Sequence, residues 1–183
     1  WWTPAEEEAI NQRFPMDLHK PHVVLHMTSS NTTKMWPEAF FIELTEWLLT
    51  QENAAIHILG SSDDAHVYHN LIHHLPVSCQ PHLSNIHNWC GETSLLESLA
   101  LLKRMDAVIG VDSGTLHMAA SVGTPVIALF SPVSPTHSIK WAPIGEQHHL
   151  IIQDFSTNAN QAIQQSLKDV QQCFQKIGKI IVP

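Results

Sequence analysis

One short stretch of the sequence concentrates residue types that could bind a phosphate. Within a single turn it places an acid, two hydroxyls, a glycine and an imidazole: Asp112, Ser113, Thr115, Gly114 and His117. An apolar run at 107–111 precedes the turn, and a helical pattern of small residues at 116–122 follows it. A helix that begins in this way offers free backbone N–H groups and a positive dipole end to phosphate oxygens. The same residues would also make an ordinary helix N-cap, so both interpretations stay open.

A second loop with hydroxyl side chains ends in a lysine. Ser29 and Ser30 follow an apolar run at 23–27, and Lys34 stands just before the next predicted helix. An ammonium is a suitable point charge for a diphosphate. The glycines of a Walker A loop are missing, so the loop does not indicate a nucleoside triphosphatase. A solvated turn is the alternative, but two such loops at strand ends of one sheet reinforce each other.

Two carboxylates follow a third predicted strand. Asp63 and Asp64 come after the apolar run at 54–59 and its terminal glycine. A carboxylate in this position can hydrogen-bond ribose hydroxyls. Acids at a helix start also complement the helix dipole without any ligand, and that alternative stays open.

These turns belong to a chain in which predicted strands and helices alternate. Apolar runs predict strands at 23–27, 54–59, 83–89, 107–111, 125–130 and 150–153. Capping signals and helical periodicity predict helices at 3–14, from Pro37 onward, and at 63–74, 93–104, 116–122 and 158–176, with a loop at 132–145. The alternation predicts an α/β fold with a Rossmann-like, doubly wound parallel sheet. We predict one domain over 1–183, with 1–20 as an inter-domain helix or linker.

The composition excludes several classes of protein. With 9 Lys+Arg and a formal net charge of −8, the chain lacks the basic face of a duplex nucleic-acid binder and a polybasic membrane patch. No apolar run approaches the ~20 residues of a membrane span, and no signal peptide opens the sequence. The 3 cysteines favour a reducing cytoplasm over a disulfide framework. The opening Trp1 and Trp2 suggest a cut within a longer protein.

One segment contains thiol and imidazole groups, which are typical ligands of a zinc site. Suitable ligand types occur at Cys79, His82, His87 and Cys90. Their spacing is atypical for zinc, and the flanking residues are typical of a strand and a turn. We therefore predict no metal site.

Four blocks of sequence resemble the carboxy-terminal half of family 9 glycosyltransferases, the bacterial lipopolysaccharide heptosyltransferases. The blocks are residues 34–37, 91–95, 112–120 and 123–130. The resemblance extends over about 23–145, and the block at 112–120 is the most specific. It implies the GT-B architecture, in which two Rossmann-like domains face each other across a cleft. This chain would be the carboxy-terminal domain, which holds the nucleotide-sugar donor, usually ADP-heptose.

The resemblance also implies a role for each candidate residue. Contacts to the diphosphate or the nearby sugar would come from Ser29, Ser30 and Lys34. The diphosphate would be cradled by Ser113, Gly114, Thr115 and His117, and Asp112 would face the hydroxyls of the donor sugar. Asp63 or Asp64 would lie near the ribose, and the base near Thr93, Ser94 and Leu95. Lys34 and His117 would stabilise the transition state.

The same resemblance implies what the whole enzyme would do. It would transfer heptose from ADP-heptose to the inner core of lipopolysaccharide with inversion, and it would need no cofactor. The catalytic base, an aspartate in the family, would belong to an absent amino-terminal domain that also meets the acceptor, so this chain alone would be inactive. The implied location is cytoplasmic at the inner face of the inner membrane, with peripheral membrane contact and no nucleic-acid partner.

Two departures from the family pattern leave the donor sugar and the acceptor open. Ser131 precedes Pro132 where the family usually has a glycine, and the segment 138–143 is unusual. Two other functions therefore stand beside the first: a GT-B-related transferase or epimerase that uses a UDP-sugar, and a non-catalytic interaction domain that kept only the fold.

Overall fold

Six parallel strands form a single sheet in the computed structural model, which describes residues 3–14, 16–132, 138–145 and 147–181. The strands are β1 (His22–His26), β2 (Ala55–Ile58), β3 (Ile86–Asn88), β4 (Ala107–Val111), β5 (Val126–Phe130) and β6 (His148–Ile152). The helices are α1 (Pro4–Arg13), α2 (Glu38–Thr50), α3 (Ala65–His74), α4 (Leu95–Lys103), α5 (Gly114–Ser121), α6 (Ser138–Trp141) and α7 (Ala159–Ile181).

The sheet order β3-β2-β1-β4-β5-β6 places the first and fourth strands side by side at the centre. Val24 of β1 stands opposite Val108 of β4 on one side and opposite His57 of β2 on the other. The chain winds outward from β1 in one direction and outward from β4 in the other. The loops that leave these two strands therefore diverge and open a crevice, the usual ligand site of such folds. The predicted doubly wound parallel sheet is confirmed.

Helices cover both faces of the sheet, which explains why β1, β2, β4 and β5 are buried along their whole lengths. Val23 and Leu25 of β1 lie in a core that includes apolar side chains of α2 and α7. Val24, between them, lies in a second core with side chains of α1, α4 and α5. This alternation along β1 fixes its register against both neighbours.

Helix α1 begins with the capping box that the sequence predicts. The backbone N–H of Glu6 donates to Thr3 Oγ1 at 3.3 Å, and the Glu6 carboxylate accepts from the backbone N–H of Thr3 at 2.6 Å. Ile10 and Phe14 are buried in the second core, and Phe14 meets Trp89 edge-on with 4.2 Å between ring centroids. The amino-terminal helix is therefore packed onto this domain, and its role as an inter-domain connection stays a prediction.

The structure differs from the sequence expectations in three segments. A 3₁₀ helix occupies Val77–Asn85, and β3 is shorter than expected because this helix includes residues 83–85 of the predicted strand. Helix α7 continues past residue 176, since no proline interrupts it there. Short helix α6 lies within the expected loop at 132–145, of which 133–137 fall outside the described residues.

A line of hydrogen bonds between ring nitrogens links β1 and β2 to Trp89, the residue after β3. The indole N–H of Trp89 donates to His57 Nδ1 at 2.9 Å, so the proton of neutral His57 sits on Nε2 and is donated to His22 Nδ1, also at 2.9 Å. His22 Nε2 then donates to the carbonyl of Asp17 at 3.0 Å. Burial and the neighbouring His87, His22 and Arg104 lower the pKa of His57 to about 3, so this imidazole is neutral near pH 7.

Candidate functional site

A polar cleft of about 730 Å³ lies at the carboxyl ends of β1, β2 and β4. We call it the carboxyl-edge cleft, and its lining residues are His26, Thr28, Ser29, Ser30, Lys34, Ser61, Asp63, Asp64, Asp112, Ser113, Gly114, His117 and Trp141. The sheet thus brings together the hydroxyl loop after β1, the acidic turn after β2 and the glycine turn after β4.

The start of α5 is open toward a ligand. Ser113 is the N-cap residue, but its side chain makes no capping hydrogen bond, and its Oγ is buried without a partner among the described residues. A Cβ built on Gly114 would meet nothing within 4 Å. The first N–H groups of α5 and the Ser113 hydroxyl can therefore receive the oxygens of an anion.

Lys34 brings a cation to this helix start. It ends a 3₁₀ helix, Thr32–Lys34, whose first turn is capped by Asn31 through a 3.0 Å bond from the Thr33 N–H. Lys34 Nζ lies 2.8 Å from the buried Oδ2 of Asp112 and forms an ion pair with it. The pair crosses the crevice between β1 and β4, so the charge of each side chain is balanced before any ligand enters.

His26 and Gly110 form the floor of the crevice. A Cβ on Gly110 would stand 2.5 Å from the His26 carbonyl oxygen, so only glycine allows the two strands to meet here. His26 Nδ1 donates to the Leu59 carbonyl at 2.8 Å, which leaves Nε2 as an acceptor in the neutral ring. Burial lowers the pKa of His26, although the Leu59 carbonyl and the carboxylate of Asp64 act in the opposite direction.

The turn after β2 is closed on itself. The carboxylate of Asp64 accepts from the backbone N–H of Ser61 at 2.7 Å and from its hydroxyl at 2.6 Å. Partial burial raises the pKa of Asp64, but hydrogen bonds from Ser61 and Thr28, together with His26, outweigh it and lower that pKa. Asp63 is exposed in the same turn, so its carboxylate is accessible to a ligand.

Other predicted residues differ in their position relative to the cleft. His117 lies on the exposed side of α5 and lines the cleft, whereas Thr115 is buried and does not. The residues that line the cleft do not include Thr93, Ser94 or Leu95, which lie at the start of α4. There Ser94 is the N-cap of the helix and accepts from the Glu97 N–H. Their proposed contact with a base stays a prediction.

Sequence reasoning missed four lining residues: His26, Thr28, Ser61 and Trp141. The signal for the first three was their position at or just after the ends of β1 and β2. Trp141 had a weaker signal, because it falls in the segment that departs from the family pattern.

The thiol and imidazole groups considered for zinc do not form a site. No group of three or more His, Cys, Asp or Glu residues suited to a metal occurs within the described ranges. Cys79 and Cys90 are both buried, and burial, with the carboxylate of Asp64, raises the pKa of Cys90 to about 11. That thiol is therefore protonated near pH 7 and is a poor metal ligand. Of the helices described, none is long and apolar enough to cross a membrane.

Comparison with known proteins identifies one family. The sequence model of glycosyltransferase family 9 (heptosyltransferase) matches residues 3–171. Lipooligosaccharide heptosyltransferase 2 of Haemophilus influenzae is 35% identical over 105 residues, which are 57% of this chain and 29% of that protein. Lipopolysaccharide heptosyltransferase 2 of Escherichia coli is 30% identical over 102 residues, which are 56% of this chain and 28% of that protein.

Solved structures show the same fold. The ADP-heptose lipopolysaccharide heptosyltransferase II of Escherichia coli superposes with a TM-score of 0.75 at 20% identity, over 96% of this chain and 53% of that one. An Escherichia coli heptosyltransferase with ADP gives 0.69 at 17% identity, over 91% of this chain and 48% of that one. The chain therefore spans about half the length of these structures.

Proposed function

Given that this chain belongs to glycosyltransferase family 9, the heptosyltransferases, we propose that its carboxyl-edge cleft binds the nucleotide-sugar donor of a glycosyl transfer, ADP-heptose. The observation that carries the proposal is the open start of α5, with the unpartnered Ser113 hydroxyl, facing Lys34 across the β1–β4 crevice. An N-terminal helix turn and a lysine at this place suit the two phosphates of a nucleoside diphosphate.

In the proposed complex, the diphosphate lies against Gly114 and accepts hydrogen bonds from the α5 backbone and Ser113. Lys34 forms an ionic interaction with a phosphate oxygen in addition to its contact with Asp112. Asp112 is then available to the hydroxyls of the donor sugar, while Ser29 and Ser30 contact the diphosphate or the adjoining sugar. Asp63 or Asp64 lies near the ribose, and the start of α4 lies near the base.

The residues of this chain would act mainly on the leaving group. As the bond between the anomeric carbon and the diphosphate oxygen breaks, negative charge grows on the diphosphate and positive charge on the sugar. Lys34, His117 and the α5 N–H groups would stabilise that negative charge because they are fixed in place beforehand. The proposal needs no metal cofactor, since these groups supply the positive potential.

We propose that the acceptor side of the reaction lies in an amino-terminal domain outside this chain. That domain would supply the base, which deprotonates the acceptor hydroxyl and gives inversion. The acceptor would be the inner core of lipopolysaccharide, met in the cytoplasm at the inner face of the inner membrane, with peripheral contact. This chain alone would bind the nucleotide and transfer no sugar.

Calorimetric titration with ADP, ADP-heptose and UDP tests the proposal. We expect the adenine ligands to bind in preference to UDP, and Lys34→Ala to weaken them roughly 10- to 100-fold, since hydrogen bonds to charged groups contribute about 1.5–3 kcal/mol. Lys168→Ala on the exposed side of α7 is the matched control, because it removes the same charge away from the cleft.

The alternatives give different results in the same titration. Preference for UDP would indicate a transferase or epimerase that uses a UDP-sugar. An interaction domain that kept only the fold would bind none of the three ligands, or would bind them equally after Lys34→Ala and His117→Ala. Sugar transfer by this chain alone would contradict the assignment of the base to another domain.

A further inference from the structure

One large aromatic side chain of the cleft makes none of the proposed contacts to the nucleoside diphosphate. Trp141 ends α6 and lines the same cleft as Gly114 and His117. It is 45% exposed, whereas Trp36 is buried and Trp47 and Trp89 are partly buried. An indole left in water beside a polar cleft exposes a large apolar surface that a ligand can cover.

The indole of Trp141 offers apolar surface to a ligand. Its side chain is 45% exposed, and the ammonium of Lys140 lies 5.5 Å from the ring centroid. The faces of an indole ring carry negative partial charge and attract the polarised C–H groups on the apolar side of a sugar ring.

The strand order indicates which part of a nucleotide sugar would reach this residue. The acids after β2 suit a ribose, as in other doubly wound sheets. The helix start after β4 suits the diphosphate, which lies next along the edge in the order β2-β1-β4-β5. The donor sugar then extends toward the β5 side of the cleft, and Trp141 follows β5 in the chain.

We propose that Trp141 packs against the ring of the donor sugar and contributes to the choice of sugar nucleotide. The inference rests on the proposed donor site, because it takes the position of the diphosphate from there. It adds a specificity contact that acts on the sugar and leaves the nucleoside diphosphate unaffected. Asp112 would select hydroxyls on one part of the sugar, and Trp141 would select an apolar ring face on another.

Calorimetry on Trp141→Ala and Trp141→Phe, with ADP and ADP-heptose as the two probes, tests the inference. We expect Trp141→Ala to weaken ADP-heptose roughly threefold to tenfold and to leave ADP unchanged, since aromatic contacts contribute modestly. Trp141→Phe should restore most of the loss because it keeps a ring. The wild-type fluorescence should change more with ADP-heptose than with ADP, and Trp141→Phe should abolish that difference.

Three results would overturn the inference in distinguishable ways. If Trp141→Ala leaves both affinities unchanged while Lys34→Ala weakens both, the donor site stands and Trp141 has no part in it. If Trp141→Ala weakens ADP and ADP-heptose equally, the ring contacts the nucleotide instead of the sugar. If the wild-type chain binds neither probe, the proposed donor site itself fails.

Discussion

The turns after β2 and β4 use the same residue types but differ in what their polar groups do. Each combines glycine, serine and aspartate where a strand ends and a helix begins. After β2, Ser61 donates twice to Asp64, and Gly60 lies against the Asp64 side chain. After β4, the Ser113 hydroxyl has no partner within the described structure, and nothing lies against Gly114.

The two turns differ in whether their polar groups have hydrogen-bond partners within the chain. In the closed turn, hydrogen bonds within the first turn satisfy Ser61 and the carboxylate of Asp64 without a ligand. The open turn leaves a buried hydroxyl unsatisfied, which costs about 1–3 kcal/mol until a ligand oxygen arrives. The unpartnered Ser113 hydroxyl thus distinguishes two helix starts whose sequences are similar, and the proposed donor site rests on that difference.

Filling the open turn should produce the largest effect. In Gly114→Val, the new side chain occupies the space where a phosphate would approach, so ADP affinity should fall at least about 100-fold. The free energy of unfolding should change by less than about 0.5 kcal/mol, because a Cβ here meets open space. Calorimetry and urea unfolding measure the two quantities.

Gly178→Val is the matched control for Gly114→Val. It places the same side chain on an open position of α7. If it weakens ADP as much as Gly114→Val does, the effect has no connection with the open turn.

Substitution of Gly60, the glycine of the closed turn, should lower the stability of the chain. A Cβ on Gly60 would stand 2.8 Å from the Asp64 Cβ, so Gly60→Ala must displace the capping carboxylate. We expect the free energy of unfolding to fall by about 1–3 kcal/mol. Urea denaturation of Gly60→Ala beside Gly114→Ala measures the contrast, and equal stability of the two variants would contradict it.

Removal of the two serine hydroxyls should give opposite results. Ser61→Ala loses the hydroxyl bond to Asp64 and should lower the free energy of unfolding by about 1 kcal/mol, with a smaller effect on ADP affinity than Ser113→Ala. Ser113→Ala loses an unsatisfied hydroxyl, so stability should hold or rise while ADP affinity falls roughly 2- to 10-fold. Thermal unfolding and calorimetry on both variants decide the matter, and a stability loss in Ser113→Ala alone would reverse the two assignments.

The smallest expected effect is a loss of stability at acid pH, when the carboxylate of Asp64 in the closed turn becomes protonated. The pKa of Asp64 is lower in the folded chain than its ordinary value of 3.8, so the stabilisation is present above that value. It is lost as the pH falls through the folded pKa, because the unfolded state binds the proton first. Stability against pH should fall less steeply in this range for Asp64→Asn than for the wild type.

The sequence predicts the sheet and its turns well because the apolar runs that fill both cores are local signals. The alternation predicts parallel strands whose carboxyl ends share one edge, and that edge brings Ser30, Lys34 and Asp112 to one cleft. It does not predict that β1 and β4 are neighbours in the sheet. The sequence does not predict that Lys34 pairs with Asp112, since that contact depends on where the loop after β1 places Lys34 relative to the turn after β4.

Other features of the site depend on side-chain geometry that spacing does not reveal. Ser61 and Ser113 occupy similar positions in similar sequences, and only their hydrogen bonds distinguish them. Trp141 lines the same cleft as His117, and the sequence marked its segment only as a departure from the family.

His22 of β1 and His57 of β2 belong to one line of hydrogen bonds in which every N–H donates in the same direction. The line runs from the indole of Trp89 through His57 and His22 to the carbonyl of Asp17, and each ring accepts at Nδ1 and donates at Nε2. Neither ring can change tautomer alone, because two hydrogens or two lone pairs would then face each other. An extra proton on His57 Nδ1 would break the bond to Trp89 and disturb the stack with His87. This half of the sheet therefore holds one protonation pattern as a unit, and the two imidazoles should give the same tautomer signature in ¹⁵N spectra.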